Sequence, residues 1–378
     1  MRGVEGEPPP IRLRTEDEER EDDGEDAATS SDADPEQPDA AASDAGPERL
    51  SRSERWDVAL GLLGLKAPDP VFDTVDDLGG YYDGSEQQIT LIDRGEPLDS
   101  PGMQMMLAHE FVHALQDQQV GLFELRQNTG PTTDARAALS CLIEGEAMLY
   151  QELAWGLLRD LPFDAAYLRQ TFSDRIKYAR DEAAAAQSPY DDLWTMRYGL
   201  GGRFVMERWL EGGNAAVQAL FDAPPLTTLF WMRGVSQPDT SWMPRTRSLA
   251  CDWAARPDGF ERQQHDTLGA LALYAFLSHT LRADGIHPNA RSWDLALGWE
   301  QDRLEIFAGP NDETAVSWRI RLSSAEDAAA VGSELADARD DLHVAVADAE
   351  LEIVASDSAE AREGWQGTSA DACGAPER

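Results

Sequence analysis

The segment Leu107–Gln118, LAHEFVHALQDQ, decides how the chain is read. Residues four apart share one face of a helix, so His109 and His113 direct their imidazoles at one point. Glu110, three residues before His113, flanks that point. Two imidazoles hold a tetrahedral Zn2+ and leave room for a third protein ligand and a water, whose pKa then falls towards 7. Glu110 is placed to take the water's proton. The opposite stripe, Leu107, Phe111, Ala114 and Leu115, is apolar and anchors the helix in a core. An HExxH spacing on a helix is the pattern of a hydrolytic zinc site. Its plain alternative is a buried helix with two hydrogen-bonded histidines and no metal.

The third ligand is sought downstream, where periodicity predicts a helix over Thr133–Leu158 containing LIEGEA. Glu144 and Glu146 lie about 200° apart on the helical wheel, so only one of them faces the metal. Glu146 falls on the strongest apolar stripe, with Leu139, Leu142, Ile143, Leu149, Tyr150 and Leu153. Glu144 shares its face with Ser140, Ala147 and Met148. Periodicity alone favours Glu146 as the inward carboxylate.

HEFVH followed by LIEGEAMLYQE resembles the gluzincin metallopeptidases, in which a glutamate on a downstream helix, often in an E-G-x-A context, completes HExxH. The resemblance implies that Glu144 is the third ligand, with Gly145 and Ala147 small enough for two helices to approach closely. More narrowly, LAHEFVHALQDQ, ALSCLIEGEA, RYGLGGRFV, GGNAAVQALF and APPLTT are similar to motifs of a group of bacterial and archaeal gluzincin-like proteins. GWEQDRLEIF and TAVSWRIRLSSAEDAAAV look like that group's final lobe, so the resemblance covers roughly residues 55–355. Two positions depart from it. The group has Asp where this chain has Glu146, at a position that orients a ligand histidine. It also carries a histidine-proline after the PP.TT segment, where this chain has WMRG.

The rest of the chain sets the frame. With 378 residues, 42% hydrophobic and 11 Trp, it has ample material for a core, and its net charge of -39, with Lys only at Lys66 and Lys177, argues against nucleic acid and anionic membrane as partners. No apolar run is long enough to span a membrane, and no signal peptide is visible. The resemblance and the acidic N-terminal spacer nonetheless point to a secreted or cell-envelope setting. Residues 1–52, rich in Glu, Asp, Ala, Ser and Pro, read as a disordered acidic segment. Residues 53–258 read as the metallopeptidase-like core, 259–358 as a C-terminal lobe and 359–378 as a flexible tail.

Within the core, SERWDVALGLLGL reads as a helix, VFDTV and QQITLID as strands, and DDLGGYYDGSE between them as a turn. ITLI is the expected edge strand for a peptide substrate added as a further strand. Further helices are predicted around 164–186, 199–220 and 261–284. In the lobe, DRLEIFAG, TAVSWRIRLS, SAEDAAAVGSELADARD and HVAVADAELEIVAS read as β-β-α-β-β, with the last hairpin turning at Ala347 and Asp348.

Gluzincin-like hydrolysis also calls for an oxyanion donor, and Tyr198 is the leading candidate, ahead of His265 and His279. Gln116 and Asp117 are placed to hold the helix end or a ligand, and Tyr81 and Tyr82 to line a cleft. His287 and His343 read as surface residues, and the GG pairs at 79, 201 and 212 as turns and close packing. Cys141 reads as a buried thiol, and Cys251 and Cys373 as a candidate disulfide. The expected fold is therefore α+β: a mostly helical gluzincin-like core with a short sheet, plus the small lobe. The expected function is hydrolysis of a peptide or protein substrate with one Zn2+ on His109, His113 and Glu144, Glu110 as base and Tyr198 assisting. The alternative is a zinc-stabilised binding scaffold without catalysis.

Overall fold

Helix-starting signals in the sequence are answered one by one by the backbone. The computed structural model describes residues 6–19, 49–66, 79–161, 164–185, 189–234, 258–281 and 289–366. Helix α1 (Arg52–Leu63) opens on a capping box between Ser51 and Glu54 and stops at Gly64 in the left-handed conformation. The histidine helix α2 (Pro101–Val120) has Ser100 as N-cap and Pro101 in its first turn, where a missing N–H does no harm. After the short α3 (Leu122–Asn128), Thr132 caps the 27-residue α4 (Thr133–Arg159), the helix that carries LIEGEA. Helices α5 (Ala165–Ala185), α6 (Pro189–Asp222) and α7 (Thr228–Arg233) follow, α6 being bent at Gly213, where φ is 64°.

The fold is α+β, as expected, with a three-stranded and a five-stranded sheet among the described residues. The small sheet has the order β1-β3-β2, with β1 (Ile11–Thr15), β2 (Gly80–Asp83) and β3 (Gln88–Asp93). Two expectations are corrected here. Composition assigns residues 11–15 to the disordered segment, but IRLRT is a strand pairing in parallel with β3, Ile11 opposite Ile89. Its apolar–basic alternation is strand-like, and a composition averaged over residues 1–52 hides it. GYYD, read as turn, is the antiparallel strand β2. The expected strand VFDTV lies outside the described residues, as do residues 20–48 and the Cys251–Cys373 pair. β3 packs Ile89 and Leu91 against Met103, Leu107 and Phe111, so the first half of the apolar stripe of α2 lies on the small sheet.

The second sheet has the order β4-β5-β6-β8-β7. Strands β5 (Trp299–Ala308), β6 (Thr314–Leu322), β7 (His343–Ala347) and β8 (Glu350–Ser356) and helix α10 (Ala325–Ala338) make the expected β-β-α-β-β unit, turning at Asp348 with φ 55°. Its fifth strand β4 (Glu261–Asp266) corrects the helix predicted over 261–284, which splits into β4 and α8 (Gly269–Thr280). ERQQHD has no apolar stripe to hold a helix, whereas GALALYAFLS is buried from Gly269 to Ser278. Helices α9 (Asn289–Leu297) and α11 (Ala359–Gln366) complete the described chain. Leu304, Ile306, Val316, Trp318, Ile320 and Ile353 of the large sheet join one apolar cluster with the buried residues of α4, α6 and α8. No helix of the described residues is long and apolar enough to cross a membrane.

The half that carries the histidine helix and the large sheet also meet through two buried carboxyls. Asp134, in the first turn of α4, accepts hydrogen bonds from the Thr228 N–H at 2.8 Å and the Thr228 hydroxyl at 2.6 Å. Asp302 on β5 accepts from the Leu268 and Gly269 N–H groups, both at 2.9 Å, and from the indoles of Trp299 at 3.0 Å and Trp318 at 2.8 Å. Gly269 sits between them with φ +89°, and a methyl group there would fall on the Asp134 carboxyl. Burial outweighs these hydrogen bonds and pushes Asp134 up to about 7 and Asp302 up to about 6. An unfolded Asp titrates near ~3.9, so ionising Asp134 in the folded protein costs stability progressively as pH rises between the two values. The Asp134→Asn variant keeps the acceptor without the charge. Its thermal midpoint is expected to gain on wild type as pH rises from about 5 to about 8, and a pH-independent offset between the two would contradict this assignment.

Candidate metal centre

The centre is built where α2, α4 and α6 converge. Gly145 of α4 and Gly201 of α6 lie backbone to backbone, and a methyl group on Gly201 would fall on the Cys141 carbonyl. Gly202, next in sequence, leaves room for Phe172 and Met148. The GG pair at 201 is therefore close packing, as read, and Cys141 is a buried thiol at this crossing. The approach brings Tyr198, one turn earlier on α6, to within 6.1 Å of the His109 ring, centroid to centroid.

On α2, the rings of His109 and His113 are 4.8 Å apart. Their Nε2 atoms lie 3.2 and 3.4 Å from the same Glu144 oxygen, Oε2. Nitrogen and carboxylate atoms of these three residues all fall within 4.8 Å of one another. Both Nδ1 atoms are engaged behind the site, that of His109 with Gln151 Oε1 at 3.0 Å and that of His113 with Gln116 Oε1 at 2.8 Å. Two imidazoles fixed through Nδ1 and one carboxylate, converging on a point, are a donor set that suits Zn2+. Among the described residues no other group of this kind occurs.

Glu144, rather than Glu146, faces the histidines. Glu146 is buried, as its stripe predicts, but it does not reach the histidines: its Oε2 accepts a hydrogen bond from Gln116 Nε2 at 2.9 Å. Periodicity does not single out the carboxylate that faces the histidines, because α4 is buried around most of its circumference. Gln151 escapes sequence reasoning altogether. The signal for it is its position seven residues after Glu144, two turns along the same face.

Glu110 is buried beside the histidines, and the backbone N–H of Tyr82 on β2 favours its charged form. The Tyr82 hydroxyl reaches Asp117 at 3.0 Å, and Asp117 also holds the Leu122 N–H at 2.9 Å. Asp117 thus fixes the helix end and Tyr82, while Gln116 holds the His113 ring. The expectation that β3 offers a free edge is corrected: β1 and β2 flank it, and the strand bordering the site is β2. His265 is on β4, His279 ends α8 and His343 begins β7, so none joins the centre, and His287 lies outside the described residues. In WMRG, Trp231 and Met232 are core residues of α7, with Trp231 edge-on to Phe204.

Electrostatics of the metal-free centre follow from burial of opposite charges. Burial alone would raise the Glu144 carboxyl, but His113 and His109 outweigh it and hold Glu144 far below the usual carboxylate range. Burial would likewise lower His113, but the Glu144 charge and hydrogen bond prevail and push it up to about 9. Burial raises Glu110 against the opposing pull of His113 and His109. The Tyr198 hydroxyl is pushed up by burial and by Glu144.

A family comparison matches residues 256–360 to a domain of unknown function, DUF8575. The match spans the large sheet with α8, α9 and α10 and excludes α2, α4 and α6. No curated protein and no solved structure matches the chain.

Two outcomes are expected of this geometry. Gly201→Ala must push α4 and α6 apart, and overpacking of this kind costs about 1–3 kcal/mol, measurable as a lowered denaturation midpoint. A dication must displace the proton on His113, so zinc affinity should rise with pH up to about 9, and binding near neutrality should release roughly one proton. Titration calorimetry in buffers of different ionisation enthalpy reads that proton, and a heat independent of buffer would refute it.

Proposed function

We propose that the protein is a zinc-dependent hydrolase of peptide bonds, with a gluzincin-like site held by His109, His113 and Glu144. The observation that carries this reading is the convergence of both Nε2 atoms on Glu144 beside a buried Glu110. Zinc bound there would supply a Lewis acid and lower the pKa of a bound water. Glu110 takes the proton of the attacking water, and the upward pull of burial on its carboxyl suits it to pass that proton on to the leaving amine. Tyr198, close to His109, is the hydroxyl nearest in role to an oxyanion donor. The backbone of β2 takes an extended peptide as an added strand.

A second reading, a zinc-stabilised binding scaffold without turnover, is favoured by one observation. Trp231 and Met232 are buried where the similar proteins carry a histidine-proline.

Zinc content by plasma mass spectrometry and cleavage of a peptide library test both. Wild type should hold near-stoichiometric zinc, and Glu144→Ala should lose it. Glu110→Gln should keep zinc while hydrolysis falls by a factor of about 10² or more. Full activity in Glu110→Gln would overturn the mechanism, and stoichiometric zinc without any cleavage would favour the scaffold.

A further inference from the structure

One strip of α4 escapes burial. Between Leu139 and Leu153 the residues that are not buried are Ser140, Glu144 and Gln151, spaced four and seven apart and therefore on one face. Glu144 meets both histidines from that face and Gln151 meets His109, so the accessible face of α4 is also the face of the centre. Ser140 continues it one turn, about 6 Å, beyond Glu144. There it meets α6, where Arg197 Nη1 donates to Ser140 Oγ at 3.1 Å. The helix crossing sets this meeting, because Arg197 lies one turn before Gly201 and Ser140 is next to Cys141, the two residues in contact there. Arg197 is half-buried, and its neighbour Tyr198 is the residue beside the His109 ring. The charge is felt locally: burial raises the Cys141 thiol and the Tyr198 hydroxyl, and Arg197 opposes the rise in both.

Resting on the hydrolase reading above, we propose that Arg197 is a specificity-determining residue that binds a carboxylate of the substrate, carried by the residue just past the scissile bond. A guanidinium stays charged and offers a planar fork of donors that fits a carboxylate, whereas a serine hydroxyl serves it only as a neutral anchor. Consecutive Cα atoms of a peptide are ~3.8 Å apart, so a carboxylate one residue past the bond under attack comes within reach of a cation one helical turn from Glu144. With 71 acidic against 32 basic residues, the chain repels such a substrate at long range, so its selection falls to a cation close to the reacting bond. The carboxylate is either the substrate's C-terminus, which would make the protein release single residues from that end, or an Asp or Glu side chain, which would direct cleavage to acidic sites.

The test gives the zinc-loaded full chain peptide pairs alike except for one charge: a C-terminal acid against its amide, and Asp against Asn after the cleaved bond. Wild type should favour the charged member of one pair by about tenfold to a hundredfold in kcat/KM, the range of a hydrogen bond to a charged group. Preference in the terminal pair identifies removal of C-terminal residues, and preference in the side-chain pair identifies acid-directed cleavage. Arg197→Gln keeps a donor for Ser140 and should bring the ratio towards one with zinc content unchanged. Arg197→Lys keeps the charge without the fork and should retain part of the preference. Equal cleavage within both pairs by wild type would overturn the inference and leave the hydrolase reading standing. So would a ratio that survives Arg197→Gln while both members are cleaved more slowly, the mark of a packing role. Binding of the same peptides to zinc-loaded Glu110→Gln, followed by titration calorimetry, reads the preference without turnover. A preference there that Arg197→Gln removes, with no cleavage by wild type, would overturn the hydrolase reading and keep Arg197 as a carboxylate site. Neither preference nor cleavage would overturn both.

Discussion

The contact between Gly145 and Gly201 is the constraint on which the rest of the centre depends. Two helix backbones touch there without side chains between them, which fixes the height and rotation of α4 against α6. Once α4 is so placed, Glu144 faces α2, Glu146 faces Gln116, and Tyr198 arrives beside His109 from the other helix. The crossing acts as a gauge, because a helix free to rotate by one residue would carry Glu144 about 100° away from the histidines. Small residues at the crossing are thus a condition for the donor set, although none of them touches it.

Around this crossing the protein combines groups that burial normally penalises. Glu110, Glu144 and both histidines are largely withdrawn from water on one side of α4, and Asp134 and Asp302 are withdrawn at its start. The two clusters solve the problem differently. At the centre, opposite charges hold each other ionised, as the raised His113 and depressed Glu144 show. At the start of α4, N–H, hydroxyl and indole donors surround the carboxyls, and the proton is retained to higher pH. The second ties the stretch matched by DUF8575 to the helix carrying Glu144.

Much of this was legible in the sequence, for reasons that can be located. The i, i+4 histidines and the alternation in the C-terminal strands are local signals, and local signals survive in a single sequence. What failed was non-local. IRLRT becomes a strand only because β3 is there to pair with it, and GYYD because it lies between β3 and α2. ERQQHD was absorbed into the following helix because the break at Gly269 depends on Asp302, more than thirty residues later. The choice between Glu144 and Glu146 could not be made from the apolar stripe, since neighbours on several sides bury α4. A similarity of motif, not periodicity, pointed to the carboxylate that faces the histidines. Gln151 was missed because one glutamine on a long helix carries no pattern of its own.

The placing of β1 has a consequence for how the molecule is assembled. Ile11 pairs with Ile89, so the edge of the small sheet closes only when the chain has looped back over the whole acidic segment and α1. A parallel pairing of such sequence separation must meet its loop-closure entropy before its own hydrogen bonds reward it. The α4–α6 crossing and the hairpin of β2 and β3 are built from nearer neighbours. On this topology the helices that gather the donors can form early, while the sheet that backs α2 is finished among the last events of folding, by residues that are synthesised before those helices.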